Sequence, residues 1–127
     1  NDKLPDITAW FKNIEYAIYA VGINDTSFAT WQSNMLAFKA VVEAKGAELI
    51  LCTLFPRSGR EAYCTQVTDY IISSGIRYID DAKCFTVGGD RVTRDNTLFL
   101  GDQLHPTVVG HLRKFNQIKI DVPDLIA

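Results

Sequence analysis

The chain has 127 residues, 47% of them hydrophobic and 22% charged, which is enough for one buried core, too little for several, and too apolar for a disordered segment. Its net charge of −2 at pH 7 excludes the basic footprint of a nucleic-acid binder. No apolar run approaches the ~18 residues of a membrane span, so no membrane partner is expected.

Residues 4–13 read as a short helix, opened by Pro5 and carrying Ile7, Trp10, Phe11 and Ile14 at helical spacing. Tyr16 to Val21 is apolar at every position and predicts a central strand, covered on both faces. It empties into the polar turn Gly22-Ile23-Asn24-Asp25. Phe28 to Lys45 is the longest predicted helix, with Phe28, Trp31, Met35, Phe38 and Val42 on one face and Gly46 where such helices end. Trp31 and Met35 read as core.

Glu48 to Leu54 predicts a second strand, closed by Pro56, Arg57, Ser58 and Gly59. Loops of that kind follow the carboxyl ends of strands, where open parallel sheets bind ligands. A helix over Glu61 to Ser74 and a short strand over Ile76 to Ile79 follow. The alternation of strand and helix predicts an α/β fold with a parallel sheet and helices on both faces. Asp80 to Leu100 has no clear period and reads as a loop, with a candidate hairpin at Thr86 to Thr93. The last helix is expected from Pro106 to Phe115 or beyond, and the tail from Ile118 onward is apolar enough to dock on the body.

Cys52, Cys64 and Cys84 are an odd number in no metal-ligand spacing, so no metal site is expected. Cys52 falls in an apolar strand and reads as a small buried hydrophobe. The sequence leaves a bond between Cys64 and Cys84 open.

Chemistry enters near the end of the chain, at Gly101-Asp102-Gln103-Leu104-His105-Pro106. An acid three residues before a histidine, with proline next, predicts Asp102 and His105 on one loop at the mouth of a helix. Pro106 suits the first helical position, where its missing N–H costs nothing. A carboxylate placed there can take a hydrogen bond from one imidazole nitrogen and leave the other to accept a proton from a nucleophile. The plain alternative is that Asp102 merely caps the helix or complements its dipole. His111 reads as a packing or surface histidine.

Gly22-Ile23-Asn24-Asp25, followed about eighty residues later by Asp102-Gln103-Leu104-His105-Pro106, resembles the third and fifth sequence blocks of the SGNH, or GDSL-type, hydrolases. The resemblance runs from Trp10 to Phe115. It implies a three-layer α/β/α sandwich around a flavodoxin-like parallel sheet. It further implies a serine esterase without cofactor, with His105 as base, Asp102 as its partner, Asn24 as a donor in the oxyanion hole, and Gly22 shaping the turn. Asp25 would cap the turn or the following helix. Family members cleave esters from lipids and thioesters to acetylated polysaccharides, and a turn such as Pro56 to Arg60 without a long apolar lid favours O-deacetylation of a carbohydrate.

The departure from that family is large. Its nucleophile lies in a Gly-Asp-Ser block on the first strand, followed by a second block with an oxyanion-hole glycine, and this chain contains neither. Ser27, Ser33, Ser58, Ser73 and Ser74 stand in no such context, and Ser58 is a turn serine. A strand as apolar as Tyr16 to Val21 also calls for more neighbours than three visible strands supply. Residues 1–127 are therefore expected to be the carboxy-terminal portion of a single hydrolase domain whose amino-terminal segment is a separate chain or is parted from it by an insert. The alternative is a catalytically inactive carbohydrate-binding or structural module derived from the same fold. A flavodoxin-like nucleotide binder would need a glycine-rich phosphate loop after the first strand, which is absent.

Overall fold

The computed structural model describes residues 15–126, so the helix expected over 4–13 lies outside the described residues. A three-stranded parallel sheet organises them: β1 (Tyr16–Tyr19), β2 (Glu48–Cys52) and β3 (Tyr78–Ile79), in that order across the sheet. Helix α1 (Phe28–Ala44) links β1 to β2, and α2 (Glu61–Ser73) links β2 to β3. Beyond β3 come the short α3 (Asp81–Cys84), two 3-10 turns (Val87–Gly89 and Asn96–Leu98), and α4 (Val108–Asp121) with a closing 3-10 turn (Pro123–Leu125).

The alternation of strand residues sends two sets of side chains to opposite faces. Ala17, Tyr19, Leu49 and Leu51 pack with Trp31, Met35 and Val42 of α1 and with Cys64, Val67 and Ile71 of α2. Ile50, Cys52 and Ile79 pack on the other face against Val122, with Ile118, Leu125 and Tyr16 around them. The apolar tail thus docks where the second face of the sheet needs cover. A smaller cluster of Cys84, Phe85, Leu98, Phe99 and Phe55 fills the space beyond the carboxyl end of the sheet.

Several expectations change. Among the described residues β1 is an edge strand, and its two faces differ: Ile18 is 46% exposed although its ladder partner Ile50 is fully buried. Asp80 to Leu100 is built rather than irregular, because the buried Asp80 carboxylate gathers the Thr53 hydroxyl (3.0 Å), the Lys83 N–H (3.1 Å) and Arg91 Nε (2.8 Å). The expected hairpin reduces to one antiparallel bridge between Thr86 and Arg94. The last helix begins at Val108, after Pro106, because Thr107 takes the capping position and its Oγ1 accepts the Gly110 N–H at 3.1 Å. Ser27 rather than Asp25 caps α1, accepting the Thr30 N–H at 3.2 Å. All three cysteines are buried free thiols, Cys64 and Cys84 lying in different clusters. No helix among the described residues is long and apolar enough to cross a membrane.

Candidate functional site

The loop from Leu100 to Pro106 is closed on itself. Phe99 and Pro106 form an antiparallel bridge, the Leu100 N–H donates to the His105 carbonyl at 2.8 Å, and the Gln103 N–H donates to the Leu100 carbonyl at 2.8 Å. Gln103 adopts a left-handed backbone (φ 57°) to make this turn. Gly110 lets α4 approach the loop, since a Cβ there would stand 2.6 Å from the Leu98 carbonyl oxygen and 2.9 Å from Pro106 Cβ.

Inside the loop Asp102 is held from both sides. Oδ1 accepts the N–H groups of Leu104 (2.9 Å) and His105 (3.0 Å), while Oδ2 lies 2.5 Å from His105 Nδ1. An ionised carboxylate only accepts, so Nδ1 carries the proton, and in the neutral ring Nε2 keeps its lone pair. The His105 side chain is 69% exposed, which leaves that lone pair open to solvent or substrate. The hydrogen bond from His105, followed by the two backbone N–H groups, holds the Asp102 carboxyl far below the ordinary carboxylate range. Asp102 and His105 are thus brought together as the sequence suggests, on a loop two residues ahead of the helix cap rather than at the cap.

Asn24 occupies a second turn, beyond the carboxyl end of β1. The Asp25 N–H donates to the Gly22 carbonyl at 3.0 Å, which puts Ile23 and Asn24 at the tip. Gly22 has φ +115°, and a Cβ on it would stand 2.2 Å from Trp31 Cδ1, so both the backbone and the packing exclude a side chain. Three residues from the far side of β2 clamp this turn. Tyr63 OH donates to the Gly22 carbonyl (2.5 Å), Arg60 donates to the carbonyls of Ile23 (2.8 Å) and Asp25, and Arg57 Nη1 donates to Asn24 Oδ1. Because arginine has no acceptor, the bond from Arg57 fixes the Asn24 amide with its oxygen toward the guanidinium and its N–H groups turned away. Burial first, then the nearby Asp25, pushes the Tyr63 hydroxyl up to about 12, so it remains a donor to the turn.

Arg57, Arg60 and Tyr63 were not singled out by the sequence. The available signal was the turn-rich stretch Pro56 to Arg60 after an apolar strand, but nothing local says which turn it would embrace. Asn24 follows the carboxyl end of β1, the Asp102–His105 pair lies on the loop that Phe99 and Pro106 close, and no hydrogen bond joins the two. Phe55, just ahead of Arg57, packs against Phe99 with ring centroids 5.2 Å apart, and Phe99 opens the His105 loop. No serine reaches His105: Ser27 caps α1, Ser73 and Ser74 bond the carbonyls of Tyr70 (3.1 Å) and Ile71 (2.7 Å), and Ser33 and Ser58 are exposed without such a bond. A groove of about 390 Å³ between α3 and α4, lined by Lys83, Arg113 and Asn116 among others, includes none of these site residues.

No family model matches this sequence. No curated protein matches it either. Among solved structures it superposes on the crystal structure of a carbohydrate esterase family 3 from Talaromyces cellulolyticus, with a TM-score of 0.64 and 18% sequence identity. Over the part that is covered, the chain shares that protein's fold. The superposition covers 98% of this chain and 66% of that one. About a third of the esterase structure therefore has no counterpart in these residues.

Proposed function

We propose that this chain is the carboxy-terminal portion of an SGNH-type serine esterase that removes O-acetyl groups from a carbohydrate, with the nucleophilic serine supplied by a segment outside residues 1–127. The complete domain would be a three-layer α/β/α sandwich. The observation that carries this reading is the 2.5 Å pair of Asp102 Oδ2 and His105 Nδ1, with Nε2 free and the ring exposed. The superposition on a carbohydrate esterase supports the substrate class.

In this reading each site residue has a definite role. His105 Nε2 takes the proton of the serine hydroxyl as its oxygen attacks the acetyl carbonyl, and Asp102 stabilises the imidazolium. The oxyanion accepts an N–H of Asn24, whose amide is turned by Arg57 to present donors rather than its oxygen. A donor of this kind contributes ~3–4 kcal/mol in other hydrolases. His105 then returns the proton to the sugar hydroxyl as it leaves, and water cleaves the acetyl-serine by the same steps reversed.

The test is acetate release from an acetylated oligosaccharide by the full-length protein. His105→Ala should lower turnover by several powers of ten, and Asn24→Ala by roughly 100- to 1000-fold. The same rate in His105→Ala as in the parent would refute the reading. The rival, an inactive sugar-binding module, draws on the fact that no serine of this chain touches His105. It predicts no acetate release from the full-length protein at all.

A further inference from the structure

Leu54-Phe55-Pro56-Arg57 runs from the end of β2 toward α2, and no helix or turn interrupts it before Ser58. A proline fixes its own φ and disfavours helical backbone in the residue before it, which suits Pro56 to keeping the stretch extended. Its first residue is pinned twice to α2. The Leu54 N–H donates to Thr68 Oγ1 at 3.1 Å, and the same hydroxyl donates to the Leu54 carbonyl at 3.1 Å. Leu54 and Thr68 are both buried, so water does not compete for either bond.

Beyond that anchor the stretch reaches both turns of the site from neighbouring points. Phe55 packs on Phe85 and Phe99, with ring centroids 5.3 Å and 5.2 Å away. Arg94 lies against the same two rings, its guanidinium carbon 3.9 Å from the Phe99 centroid and 5.8 Å from that of Phe55. Phe99 in turn opens the His105 loop through its bridge to Pro106. Arg57, two residues on, donates to Asn24 Oδ1. Two residues of chain span at most about 7 Å, so the contact to the His105 loop and the contact to the Asn24 turn leave from backbone positions that cannot drift apart.

We propose that Leu54–Arg57 is a strap that holds the His105 loop and the Asn24 turn in fixed relation, and that Phe55, acting through Phe99, and Arg57, acting through the Asn24 amide, are positioning residues. What the strap is for rests on the esterase reading, whereas what it holds rests on the contacts alone. In acyl transfer the base and the oxyanion donor must meet one tetrahedral centre together, and a displacement of about 1 Å can cost about 100-fold in rate. Loss of either contact therefore lowers kcat and leaves KM near its parent value, because the alignment is felt in the transition state.

The test is a double-mutant cycle on acetate release from an acetylated oligosaccharide by the full-length protein. Arg57→Met should lower kcat by about tenfold or more at unchanged KM, yet by less than about twofold once Asn24→Ala has removed the group it acts through. Arg57→Lys, which keeps a donor, should recover part of the loss. Phe55→Ala should lower kcat by roughly 10- to 100-fold, and Phe55→Leu, which retains most of the apolar bulk, covers the case in which the alanine variant does not fold. An Arg57→Met loss of equal size in both backgrounds, or none in the parent, overturns the strap. Two NMR readings need no turnover. The order parameter of the Asn24 side-chain amide should fall in Arg57→Met, and the Leu100 N–H, which donates to the His105 carbonyl, should exchange faster in Phe55→Leu while the Val67 N–H within α2 keeps its rate. If the parent releases no acetate, the esterase reading falls and these two readings decide the strap by themselves: unchanged signals overturn it, and the expected changes leave it standing.

Discussion

At the scale of single residues, the site depends on how Asp102 is held. Its folded-state pKa lies below the unfolded value, so its contribution to stability is present above the unfolded pKa and is lost as pH falls through the folded one. The carboxyl carbon of Asp102, followed by NMR, should therefore show no inflection between about pH 3 and 5, where an ordinary aspartate titrates. A midpoint near 4 would mean that the loop hydrogen bonds do not form. Asp102→Asn should cost roughly 10⁴-fold in turnover, because an amide there favours the wrong imidazole tautomer. The thiols give a second check. Burial pushes Cys52 and Cys84 up to about 12 and also raises Cys64. A disulfide reagent at pH 8 should label none of them until the chain is unfolded. The Asp102–His105 contact was legible because it spans only three residues of one loop. Arg57 on Asn24 was not, because the two lie 33 residues apart and meet only when β1 and β2 pair in register.

At the scale of elements, the two turns that carry the site are fixed by different means. The Asn24 turn is clamped by α2 and by the packing of Trp31 against Gly22. Gly22→Ala forces a methyl into the indole at a positive φ, and it should destabilise the chain by about 2–4 kcal/mol, read as a lowered midpoint in thermal or urea unfolding. An unchanged midpoint would show that Trp31 has room to move. The His105 loop is anchored by the Thr107 cap, and Thr107→Ala should cost about 1 kcal/mol. The strands, α1 and α2 were readable within a residue or two from apolar runs and turn residues, with Glu48 and Glu61 expected and found as starts. The start of α4 was misplaced because Pro106 satisfies the rule for a first helical residue, whereas Thr107 offers a side-chain acceptor that Pro106 and His105 do not use. The stretch beyond Asp80 carries no periodic signal, since its order comes from one buried carboxylate and a cluster of phenylalanines drawn from three separate segments.

At the scale of the whole molecule, apolar surface is distributed as though a neighbour were expected. β1 is an edge among the described residues, Ile18 and Val21 beside it are 46% and 56% exposed, and α4 turns Val108, Leu112 and Phe115 outward. Open strand edges with apolar flanks invite association. The isolated chain should therefore self-associate in sedimentation velocity at concentrations of about 100 μM, while the complete domain stays monodisperse; a clean monomer of the isolated chain would contradict this. The carbohydrate esterase superposed on it is longer, this chain covering 66% of that structure, which leaves room for the segment that the account requires. The most direct test of the central claim is to trap the nucleophile: the full-length protein is treated with a fluorophosphonate and the labelled peptide is identified by mass spectrometry. The account predicts one modified serine outside residues 1–127 and its loss in His105→Ala. Label on Ser27, Ser33, Ser58, Ser73 or Ser74, or undiminished labelling without His105, would contradict it.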